Sequence, residues 1–93
     1  MTDREILVEL LPQERDVMLR CILTPEVRDQ LQPLAASRNV ETIRLDRVLV
    51  RWIAGDLTHA IVKGGQRDEA IIDLSERFDY IDDTGDGRLE SWT

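Results

Sequence analysis

VMLRCILTPEVRDQLQPLAASRNVETIRLDRVLVRWIA, residues 17–54, is the stretch whose reading decides the fold. It falls into three pieces. Residues 17–23 alternate, with Leu19, Cys21 and Leu23 on one side and Met18, Arg20 and Ile22 on the other, which is the period of a β-strand. The run is apolar on both sides, so a buried helix segment fits it as well. Thr24-Pro25-Glu26 is a helix start, with a hydroxyl N-cap, a proline in the first turn and an acid near the positive helix end. A fresh start there makes residues 17–23 an element of their own, and a strand is expected.

Val27, Leu31, Leu34 and Ala35 share a helical face, so a first helix is expected from Pro25 to about Ser37. Pro33 lies deep within it, where proline costs roughly 3 kcal/mol. The helix either kinks there or stops near Gln32. Ser37-Arg38-Asn39 breaks the pattern, and a second helix is expected to begin near Glu41 or Thr42. Leu45, Val48, Leu49, Trp52 and Ile53 form its apolar stripe, with Arg44, Arg47 and Arg51 off it. Gly55 either stops this helix or lies inside it, with Leu57, Ala60 and Ile61 continuing the stripe. Gly64-Gly65 ends it.

Outward from the centre, Thr2-Asp3-Arg4-Glu5 has the spacing of a capping box, and Ile6, Leu7, Leu10 and Leu11 follow on one helical face. An N-terminal helix ending at Pro12 is favoured. The rival is a strand, REILVEL, folding back on residues 17–23. Toward the other end, Ala70, Ile71, Leu74 and Phe78 recur at helical spacing, so a helix is expected over Arg67–Tyr80 before a turn-rich acidic end.

Ninety-three residues make one domain with a modest core. The organisation expected is an arm or helix over 1–16, a core over 17–63 and an acidic extension over 64–93. No apolar run approaches the roughly 20 residues of a membrane span, and the acidic N-terminus does not read as a secretory signal. A lone cysteine, Cys21, excludes an internal disulfide. A cytoplasmic location is expected. The net charge of −7 disfavours nucleic acid if spread evenly. It is not: residues 1–16 carry −3, residues 17–63 carry +2 and residues 64–93 carry −6.

Strand, helix, helix over about 38 residues, with a mildly basic centre, resembles the ribbon-helix-helix DNA-binding family. The resemblance implies a mainly α homodimer in which one short strand per chain pairs with its twin and enters the major groove of double-stranded DNA. It implies that Leu19, Cys21 and Leu23 face the helices while Met18, Arg20 and Ile22 face the bases, Arg20 reading guanine. Phosphates would be held at the start of the second helix, by Thr42 and free amides, with Arg38, Arg44 and Arg47 supplying charge. Asp46 stands where that family commonly has an apolar residue. The function implied is a transcription regulator or antitoxin, its acidic tail serving a protein partner or tuning DNA affinity. The alternative is a small helical protein-interaction module that binds no DNA, favoured by the total charge and by Met18, Ile22 and Glu41.

Other chemistry is thinner. Asp82, Thr84 and Asp86, then Gly87 and Leu89, match the early positions of an EF-hand calcium loop, with Glu90 as a further oxygen donor. Position twelve is Thr93 rather than glutamate, so an acidic turn or hairpin is the plainer reading. His59 has no second histidine or cysteine at ligand spacing, and Cys21 would act as a nucleophile only with an activating neighbour, so packing is its plainer role. No phosphate loop, triad or carboxylate pair is recognisable, so neither an enzyme nor a bound cofactor is expected.

Overall fold

The computed structural model describes residues 5–64 and 68–92. The chain runs β1 (Ile6–Leu10), α1 (Pro12–Cys21), α2 (Pro25–Leu31), a 3-10 turn (Gln32–Leu34), β2 (Glu41–Leu45), α3 (Arg47–Gly64), α4 (Glu69–Thr84) and α5 (Leu89–Trp92). It is mainly helical around one two-stranded antiparallel sheet.

The strand expected at 17–23 is instead the end of α1 and the extended link after it. Seven residues are too few to separate a period of 2 from one of 3.6 when apolar side chains stand on both sides. Pro12 decides the matter. It begins a helix instead of ending one, because the first helical position needs no N–H. Glu14 completes the start by accepting the Leu11 N–H at 2.8 Å. Val17, Met18 and Ile22 then go into the core.

The N-terminal helix is likewise corrected: residues 6–10 form a strand, with Ile6, Val8 and Leu10 inward. Its partner is β2, pairing Ile6 with Leu45 and Leu10 with Glu41, and not residues 17–23. No helix starts near Glu41 or Thr42: Ile43 and Leu45 alternate with Thr42 and Arg44 as a strand does. Asp46 is the N-cap of α3, accepting the Leu49 N–H at 2.8 Å. Where alternatives were open, α2 stops at Leu31 with Pro33 in the 3-10 turn, and α3 runs through Gly55. Residues 2–4 of the capping box, Gly65, Arg67 and Thr93 lie outside the described residues.

The inner sheet face meets Val27 and Leu31 of α2, Val50, Ile53 and Leu57 of α3, and Leu74, Phe78 and Ile81 of α4 in one apolar cluster. The acidic C-terminal helix is therefore part of the core. Neither strand waits for another chain. On one side of β1 lies β2; on the other Gly87 bridges Val8 and its carbonyl accepts the Glu9 N–H at 2.8 Å. A Cβ at position 87 would strike Leu7 O and lie 2.7 Å from Val8 Cα, so glycine is required there. On the outer edge of β2, the Gln30 amide donates to Arg44 O at 2.7 Å and accepts from Arg44 N at 2.8 Å, as a neighbouring strand would.

Candidate interaction surface

Among the described residues two arginines are almost wholly buried, and both serve the fold. Arg15 donates to the carbonyls of Leu10, Ser37 and Asn39 at 2.8–2.9 Å, tying the end of β1 to the loop before β2. Arg77 grips Glu14 at 2.8 and 3.0 Å and donates to Gly87 O at 3.0 Å. One cation thus links the start of α1, the middle of α4 and the segment that flanks β1. Each arginine keeps an unpartnered buried Nε.

The residues the resemblance assigned to DNA do not form one reading head. Met18 and Ile22 are 0% exposed and cannot touch a base. Arg20, Arg38, Thr42, Arg44 and Arg47 are exposed, but on α1, the loop after the 3-10 turn, β2 and the first turn of α3. Thr42 and Arg44 share the outward side of β2; Thr42 lies in mid-strand and not at a helix N-terminus.

The calcium-loop candidates turn their polar atoms on the chain itself. Asp82 takes the Arg51 guanidinium at 3.2 Å, Thr84 Oγ1 donates to Tyr80 O and accepts from Asp86 N, and Arg88 engages Asp86 and Glu90. The segment is a helix end, with Gly85 left-handed at φ 72° and its N–H on Ile81 O. Among the described residues no three His, Cys, Asp or Glu side chains converge on a point that could hold a metal ion. Burial pushes the Cys21 thiol above its ordinary value, with Arg20 opposing and Asp68 adding to the rise; a raised thiol is a poor nucleophile at neutral pH. A groove of about 230 Å³ between α1 and α4, lined by Leu11, Gln13, Glu14, Val17, Ala70, Asp73 and Leu74, holds no serine, cysteine, histidine or lysine.

The outer side of α3 is different. The expected stripe of Val48, Leu49, Trp52 and Ile53 splits in two. Val50, Ile53 and Leu57 point into the core. Val48, Trp52, Gly55, His59 and Val62 occupy the opposite face, at steps of four, three, four and three, and all are exposed. Val48 is 54%, Trp52 58% and Val62 75% exposed. Leu23, also 75% exposed, is held beside this face by its N–H on Asp56 Oδ2 at 3.2 Å. Single exposed apolar residues are ordinary; three large ones aligned on one helix with a fourth alongside make this face the candidate interaction surface. The sequence carries this face as a second 3-4 spacing out of phase with the first, but at Val48-Leu49 and Trp52-Ile53 the two rows adjoin and merge into one wide stripe.

Comparison with protein-family models, with curated proteins and with solved structures returns no match to this chain. Among the described residues no helix is long and apolar enough to cross a membrane.

Proposed function

We propose that this chain is a small protein-docking module that works by presenting the outer face of α3. The observation that supports the reading is the exposed row Val48, Trp52 and Val62 on a helix whose other side already fills the core. Tryptophan is one of the side chains enriched as interface anchors, because it offers a large apolar area with a polar N–H at its edge. The polar groups of the fold support the same reading: the buried arginines and the calcium-loop carboxylates are engaged within the chain, leaving an apolar surface as its most prominent unused feature.

Site-specific photo-crosslinking tests the proposal. A crosslinker at Val48 or Val62 yields protein adducts in an extract of the source cells, whereas one at Glu76, on the outward acidic side of α4, does not. Equal adducts at the two helices, or none at either, would rule the docking surface out. The regulator or antitoxin reading retains a set of exposed basic groups, Arg20, Arg38, Arg44 and Arg47, without a shared ribbon to present them. Docking through α3 alone predicts no gel shift of duplex DNA even at low ionic strength, where backbone attraction is greatest.

A further inference from the structure

Resting on that docking reading, we infer that the occupant of the α3 face is a second copy of this chain, with the two α3 helices side by side and parallel. Val48, Trp52, Gly55, His59 and Val62 follow the 4-3-4-3 spacing of a coiled-coil seam. From Val48 to Val62 the seam is about 21 Å long, at the usual helical rise. Gly55 sits at its middle. A Cβ there would meet nothing within 4 Å, so the fold of one chain gives no reason for glycine in mid-helix. Glycine lowers helix stability relative to alanine. In a pair it leaves a gap at the central layer, into which the large Trp52 side chains of the adjoining layer fit.

Charge selects the orientation. Arg51 and Asp56 flank the seam on opposite sides, five residues apart, the relation that brings opposite flanks together between parallel helices. Each Arg51 then faces Asp56 of the other copy, giving two symmetric ion pairs. Arg51 keeps donors for this: it is 64% exposed and meets Asp82 through Nε alone. The antiparallel arrangement centred on Gly55 would set Asp56 against Asp56. The alternative occupant, the acidic outer face of α4 from another copy, offers Glu69, Asp73, Glu76, Asp79 and Asp83, with no apolar row to cover Trp52, and would propagate without closing.

Sedimentation equilibrium and disulfide trapping test this. The unmodified chain is expected to approach twice its monomer mass at concentrations up to about 100 μM, and Trp52→Glu to weaken association by roughly thirty-fold or more, the loss typical of a central anchor. In a Cys21→Ser background, Val48→Cys is expected to form an interchain disulfide, because parallel pairing sets position 48 against itself; Glu76→Cys is the negative control. Circular dichroism of each variant confirms that it is folded. A monomer throughout that range overturns self-pairing. So does a dimer that Trp52→Glu leaves intact, or one in which Val48→Cys links no better than Glu76→Cys. A monomer that still gives α3-specific adducts to another protein leaves docking standing and removes only the second copy; a monomer without adducts removes both.

Discussion

Helices α3 and α4 lie against each other and feed the same core, yet their outer faces have opposite characters. The outer face of α4 carries Glu69, Asp73, Glu76, Asp79 and Asp83, all exposed, as a helix that ends at water should. The outer face of α3 carries Val48, Trp52 and Val62. Burial in the monomer accounts for every large apolar residue of α4's inward face and for none of those three. The contrast teaches that hydrophobic spacing alone does not say what a face is packed against. One row of α3 specifies this fold; the other, left at the surface, is the face we propose for docking.

Substitutions on the two sides of these helices break or sharpen that contrast. Phe78 is fully buried where α4 meets the core, so Phe78→Ala is expected to destabilise by about 3–5 kcal/mol in urea unfolding. A loss below about 1 kcal/mol would mean that α4 is not a core helix. Arg77→Met removes the cation joining Glu14 to Gly87 O and strands a mostly buried carboxylate; a loss of about 3 kcal/mol is expected, the scale of a broken buried pair. Glu14 keeps the Leu11 N–H, which limits the loss. Unchanged stability would show that the C-terminal segment is not tied to the sheet through Arg77. Gly55→Ala is the smallest and most specific change. With open space over position 55, it is expected to raise the stability of the dilute monomer by about 0.5–1 kcal/mol while weakening self-association. Tighter association in that variant would remove the role assigned to the glycine.

The parts of the fold that were legible in the sequence have local causes. Thr24-Pro25 announces α2, and Phe78 with its helical partners announces α4. The strands were not legible in the same way. β1 and β2 are separated by two helices, and the pairing of Val8 with Ile43 is a long-range contact that no window of sequence contains. Residues 17–23 mislead for a local reason: the fresh helix start at Thr24-Pro25 sets them apart as an element, and the apolar run VMLRCIL suits either period. The candidate surface was half legible. Val48 and Trp52 stood out as apolar, but only the packing of Val50, Ile53 and Leu57 reveals that they face away. The buried arginines gave no sequence signal at all, because their partners are main-chain carbonyls and one glutamate 63 residues away.

The solvent shielding of Trp52 is the most direct measure of whether α3 meets a second copy. Acrylamide quenching in a Trp92→Phe chain isolates its fluorescence across a dilution series. Self-pairing predicts a freely quenched indole in dilute solution, consistent with its 58% exposure in one chain, and progressive protection as concentration rises, in step with the increase in mass. Quenching that stays the same at every concentration, or protection that appears without any change in mass, would contradict it.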